Sequence, residues 1–172
     1  MTIEQLMADK TKKGKEKTEM LSKWLLDGSV PVDELIAFAD KSKDPGKATC
    51  IEAMEYATKL NSKIADESMF EYVTKALSEK APRVKWESAK VIANTAHLFP
   101  VKLKKVIANL LANSENKGTV VRWATAFALG EVLKLKTIHN KELLPKLEAI
   151  CNKEEETGVK KKYLDAIRKA MK

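Results

Sequence analysis

Three dipeptides carry the side chains best suited to chemistry in this chain: Lys85-Trp86, Arg122-Trp123 and Lys162-Tyr163, each a cation followed by a large ring. A ring beside a cation can stack on a nucleobase, flank a phosphate or anchor an extended peptide. Lys90, one helical turn after Trp86, joins that face, and Lys160, Lys161 and Lys162 form a dense positive spot further on. Packing is the other use for the same residues. On a helical wheel Trp123 lies about 160° from Val121. Either that helix is buried on two sides or its ring reaches a surface. The lysine run has an equally plain alternative as the solvated face of a terminal element.

Catalytic groupings are missing from the sequence pattern. The two histidines, His97 and His139, have no acid or nucleophile at a meaningful spacing, and His97 is expected at the surface near a helix end. Neither they nor Cys50 and Cys151 have the companions a metal site needs. Neither a GxxxxGK[ST] nor a GxGxxG loop is present, and Glu154, Glu155 and Glu156 fan out around a helix end. No cofactor, metal or catalytic residue is therefore expected. The cysteines form no CxxC pair and are expected to pack as small hydrophobes in a reducing, cytoplasmic setting.

The elements that must position these side chains are helices. The 172 residues suit one domain. With 44% apolar residues there is material for a core, while 6% aromatics, six glycines and five prolines are too few for a β-sandwich. The formal charge of +8 is unevenly spread: residues 1–61 sum to −1 and residues 62–172 to +9. That excess favours an acidic partner such as nucleic acid, anionic lipid or an acidic protein surface. No apolar run approaches the ~18–20 residues that span a bilayer, and no membrane partner is expected.

Punctuation divides the chain into short amphipathic pieces. Asp44-Pro45-Gly46, Pro82, Phe99-Pro100, Asn116-Lys117-Gly118 and Glu156-Thr157-Gly158 mark boundaries. Segments such as 67–80, 101–114 and 140–156 carry apolar residues at three- and four-residue spacing. Residues 15–28 end on Gly28, a C-terminal cap, and 10–17 reads as a basic linker.

These pieces repeat. Residues 83–96 align with 120–133, and the small residues Ala53, Ala89, Ala126 and Ala166 recur at offsets of 36, 37 and 40. A period of this length built from helix pairs predicts an α-solenoid, with alanine where neighbouring helices come close. VVRWATAFALGEV (120–132) and ELLPKLEAI (142–150) resemble the second and first helices of HEAT repeats. The resemblance implies an all-α, right-handed solenoid of about four helix pairs, 30–61, 66–98, 100–136 and 140–171, with residues 1–28 as an N-terminal helical cap. Such repeats often carry an aspartate–arginine ladder between turns. Here Thr49 stands at the aligned basic position and the other turns lack a consistent aspartate, so cohesion is expected from apolar packing. The resemblance further implies a monomeric, non-enzymatic scaffold binding a protein or peptide on its concave face through Lys85, Trp86, Lys90, Arg122, Trp123 and Lys160 to Lys162. Nucleic-acid binding is the alternative, with the base-excising HEAT-like glycosylases as a lesser one.

Overall fold

The computed structural model describes residues 1–172. Ten α-helices follow one another: α1 (Ile3–Ala8), α2 (Gly14–Asp27), α3 (Val32–Lys41), α4 (Asp44–Leu60), α5 (Glu67–Ala76), α6 (Pro82–Thr95), α7 (Leu103–Asn113), α8 (Thr119–Lys134), α9 (Asn140–Lys153) and α10 (Thr157–Ala170). There is no strand. Even-numbered helices stack in the order α2, α4, α6, α8, α10, and each odd-numbered helix packs behind the even one that follows it. The fold is an α-solenoid. The even helices approach one another more closely than the odd ones do, so the stack bends with the even layer on its concave side. Residues 1–28 supply α1 and α2, and α2 packs on α4 as α4 packs on α6.

Local chemistry accounts for the boundaries. Thr2 closes a capping box with Gln5 before α1, and Asp66 accepts from the Met69 N–H before α5. Pro82 sits at the first position of α6, where its missing N–H costs nothing. Gly28 ends α2 in the left-handed region at φ 78°. The expected basic linker is shorter than 10–17, because α2 begins at Gly14 with Glu16 accepting from the Lys13 N–H. Phe99-Pro100 does not open a helix directly. Pro100 starts a 3-10 turn, and α7 begins at Leu103.

One apolar core runs the length of the stack, from Ile3 to Tyr163. Ala53, Ala89, Ala126 and Ala166 are all buried, as close helix packing requires. The first and last offsets need correction. Helices α4, α6, α8 and α10 begin at 44, 82, 119 and 157, so α6 is displaced from α4 by 38 residues rather than 36, and α10 from α8 by 38 rather than 40. Gly158 therefore lies inside α10, and Glu156 takes the N-cap place that Gly118 holds before α8. In that register Tyr163 corresponds to Thr125 and faces the core, fully buried.

Candidate functional site

An open groove of about 830 Å³ crosses the concave face over four helices. Leu26 of α2, Tyr56 of α4, Trp86 of α6 and Trp123 of α8 line it, with Leu60 and Val120 at its ends. Both tryptophans are half-buried, their inner edges packed on the core. The two alternatives for this row are thus combined in each ring: one edge packs and one reaches the groove.

Carboxylates lie among the rings. Glu55 is buried in the groove wall, with Lys90 Nζ 3.9 Å from its Oε2 and 3.7 Å from Glu87 Oε1. Glu52 accepts from Arg83 at 2.7 Å. Glu87 accepts from the indole N–H of Trp86 at 2.8 Å, while its Oε2 is buried with no hydrogen-bond partner. Burial pushes the Glu87 carboxyl above its ordinary range, and the neighbouring Glu52 and Glu55 push it further, against the pull of Lys90 and the Trp86 N–H. Tyr56 is raised too, first by burial and then by the surrounding carboxylates. At the far end Lys162 sits over the rings of Trp123 and Phe127, 4.9 and 5.0 Å from their centroids.

The structure brings together Trp86, Lys90, Trp123 and Lys162 of the residues singled out in the sequence. Lys85, Arg122 and Lys160 lie elsewhere, on the edge where odd helices turn into even ones. Lys85 Nζ donates to Leu77 O at 3.1 Å and to Asn113 Oδ1 at 3.0 Å, and burial lowers its pKa. Arg122 donates to the carbonyls of Asn116 and Lys117 and through Nε to Glu154 Oε2 at 3.1 Å. Lys160 lines a shallow hollow with Lys161, Glu154 and Glu155.

These three belong to a row. The fourth residue of every even helix is a cation: Lys17, Lys47, Lys85, Arg122 and Lys160. Lys17 donates to Met7 O at 2.7 Å, and Lys47 pairs with Glu79 at 2.9 Å. A cation in a first helical turn opposes that helix's own dipole. Here several of them gain more by reaching the unsatisfied carbonyls around the end of the preceding helix. Three also reach forward to the next turn: Lys47 to Glu79, Lys85 to Asn113, Arg122 to Glu154. The expectation that no ladder joins the repeats is therefore corrected. Its acceptors are Glu79, Asn113 and Glu154 rather than a recurring aspartate, and its cation in α4 is Lys47, two residues before Thr49.

Cys50 is buried and its thiol is pushed up to about 12 by that burial, so it is no nucleophile at neutral pH. No three His, Cys, Asp or Glu side chains converge as a metal ion requires. No helix is long and apolar enough to cross a membrane.

Neither protein-family models nor curated proteins match the sequence. Solved structures do match the fold. One chain of the complex of CpcE and CpcF of phycocyanin lyase, from Nostoc sp. PCC7120, superposes with a TM-score of 0.75 at 21% identity, over 95% of this chain and 96% of that one. A designed armadillo repeat protein in complex with the peptide (KR)4 gives 0.71 at 17% identity, over 90% and 69%. An engineered protein gives 0.72 at 15% identity, over 99% of this chain and 47% of its own. The chain has the HEAT/armadillo-like repeat fold. A lyase component and a designed peptide binder share it, so the fold by itself does not separate scaffold from enzyme.

Proposed function

We propose that the chain is a non-enzymatic scaffold whose concave groove holds an extended segment of a protein partner. The observation that supports this best is the alignment of three rings, Tyr56, Trp86 and Trp123, from successive even helices along one open groove. Large rings with one packed edge and one free edge lose little entropy on binding and make strong anchoring contacts. Lys90 and Lys162 flank them, and Lys161 stands exposed beyond. Lys85 and Arg122 support the site indirectly by holding the turns from which α6 and α8 start, while Lys160 has the same place in α10.

Nucleic acid fits the groove less well. A phosphate backbone needs an excess of cations, yet Glu19, Glu52, Glu55 and Glu87 stand among Lys23, Lys59, Arg83 and Lys90. Arg83 and Lys90 are already committed to carboxylates. Base excision would need a carboxylate free to act beside the rings. Glu55 has the position, which sequence reading missed, but its charge is held by Lys90.

Selection of displayed random peptides on the wild-type protein, counter-screened on Trp86→Ala/Trp123→Ala, tests the proposal. Peptides with apolar anchors should be enriched and should lose binding to the folded variant. Peptides that bind both proteins alike would move the binding surface off the groove. Groove-dependent binding of a single-stranded oligonucleotide would favour nucleic acid. Base release from alkylated duplex DNA that Glu55→Gln abolishes would favour the glycosylase alternative.

A further inference from the structure

The loops joining each even helix to the next odd helix all lie along one edge of the solenoid, opposite the edge that carries the cation row. Along that edge the same composition recurs. Val101 is 91% exposed and is followed by Lys104 and Lys105, while Lys102 pairs with Glu67 and Glu71. Ile138 is 90% exposed, between Lys136 and Lys141. Leu60 stands out between Lys59 and Lys63, and Met171 between Lys169 and Lys172. Residues 97–105, 134–141 and 168–172 contain no acidic side chain, and 59–66 contains only Asp66, which caps α5. Like Lys102, Lys134 and Arg168 are paired, with Glu131 and Asp165, which leaves the other lysines of these stretches as the unpaired cations of the edge. The first such loop, 28–31, has no cation. The opposite edge differs: its turns mix lysine with Asp9, Glu79, Glu115 and Glu154 to Glu156, and residues 9–13, 42–43, 77–81, 114–118 and 154–156 expose no large apolar side chain, the nearest being Val120 in the first turn of α8, which lines the groove.

We infer that this edge, from Leu60 through Val101 and Ile138 to Met171, is a docking surface for an anionic lipid bilayer. Lysines along it are attracted to the negative surface potential of such a membrane. The single apolar tips reach below the headgroups while the ammonium groups stay at their level. Successive tips belong to neighbouring helix pairs packed ~10 Å apart. Isolated tips each ringed by lysines do not form the contiguous buried anchor that a protein interface uses, and a phosphate backbone offers nothing to exposed valine or isoleucine. The expectation of no membrane partner rested on the missing transmembrane span, which has no bearing on a contact made by an edge. The surface meets the groove at Lys59 and Leu60, while Val101, Ile138, Met171 and their lysines lie outside it.

Sedimentation with phosphatidylcholine vesicles containing roughly one-third phosphatidylserine, at about 0.1 M salt, tests this inference. The wild-type chain should co-sediment with these vesicles and not with pure phosphatidylcholine. Lys104→Glu/Lys105→Glu/Lys141→Glu should weaken the partition by at least about a hundredfold, since each lost cation near such a surface is worth about fivefold and each added carboxylate is repelled as well. Val101→Ser/Ile138→Ser should weaken it about tenfold at unchanged net charge. Lys43→Glu/Lys80→Glu/Lys117→Glu makes the same charge change on the opposite edge and should stay within about threefold of wild type. Circular dichroism melts establish that each variant is folded. If the serine pair fails to fold, Val101→Asn/Ile138→Asn reads the same contribution, again with no change of charge. No sedimentation with the anionic vesicles, equal loss from the two lysine triples, or indifference to the tips would each overturn the assignment. Tighter binding of duplex RNA through the same lysines, unaffected by the tips, would replace it with nucleic acid.

Discussion

Gly130 of α8 lies so close to α10 that a Cβ added to it would stand 2.8 Å from the Cβ of Ala166. Real Cβ atoms do not approach so closely, and here the obstacle is rigid rather than the end of a flexible chain. Alanine normally stabilises a helix interior over glycine by ~1 kcal/mol. Gly130→Ala should nevertheless destabilise the protein by about 1–2 kcal/mol, because overpacking outweighs propensity. Urea melts of Gly130→Ala, Ala166→Gly and the double variant check this. The double variant should recover most of the loss, and additive effects would show that the two residues do not limit each other.

Arg122 joins two turns at once, so its loss should exceed that of an ordinary surface cation. Its side chain is 20% exposed and that of Glu154 only 6%. Arg122→Ala should cost about 2–3 kcal/mol, since it leaves Glu154 and the carbonyls of Asn116 and Lys117 short of donors. Arg122→Lys should recover only part of this, because a single ammonium cannot replace the guanidinium fork. A double-mutant cycle with Glu154→Gln measures the coupling, and a value near zero would remove the ladder from the account of repeat cohesion.

Glu87 makes stability depend on pH in a definite direction. Its folded-state pKa is raised, first by burial. The folded state therefore holds its proton more tightly than the unfolded chain does. Stability associated with this group is fully present below the unfolded carboxylate pKa and is lost as pH rises through the folded value. Glu87→Gln should accordingly be more stable than wild type at pH ~7, with the gap closing towards pH ~4. Paired denaturant melts at the two pH values check the sign. A gap that widened on acidification would mean that the carboxylate is stabilised where it lies.

Tyr163 packs in the core with a hydroxyl that has no hydrogen-bond partner. Burial drives its pKa well above the ordinary tyrosine value. Tyr163→Phe keeps the ring and removes the unpaired group, so it should leave stability unchanged or raise it by about 1 kcal/mol. A calorimetric melt of the variant is enough to decide. A clear loss would mean that the hydroxyl finds a donor or acceptor in solution.

The helix pairs were legible because their signals are local. Asn116-Lys117-Gly118 and Pro82 mark turns by their own backbone preferences, and Ala89 and Ala126 sit where two helices meet. Two registers differ from expectation by two residues: Ala53 lines up with Val91 rather than Ala89, and Lys162-Tyr163 imitates Arg122-Trp123. Only the start of α10, set by the turn at Glu154 to Glu156, shows that Lys160 is the counterpart of Arg122. Lys85 and Arg122 stood out in the sequence for their neighbours Trp86 and Trp123, yet adjacent residues on a helix point about 100° apart. One of each pair faces the groove and the other a turn. A row at the fourth position of each even helix, Lys17 to Lys160, was present in the sequence, but becomes visible only when the helix starts are known. Glu55 and Glu87 could not be found from spacing, since what distinguishes them is burial beside Lys90.

The forward ties of the cation row also bear on how the chain is made. Lys47, Lys85 and Arg122 find their acceptors 32, 28 and 32 residues later. During synthesis each cation therefore waits only for the next helix of the odd layer to emerge. No tie in the row requires the two ends of the polypeptide to meet, and connections of such short range favour rapid folding. The chain can be secured from its beginning towards its end, one turn at a time, like a zip whose slider is the ribosome.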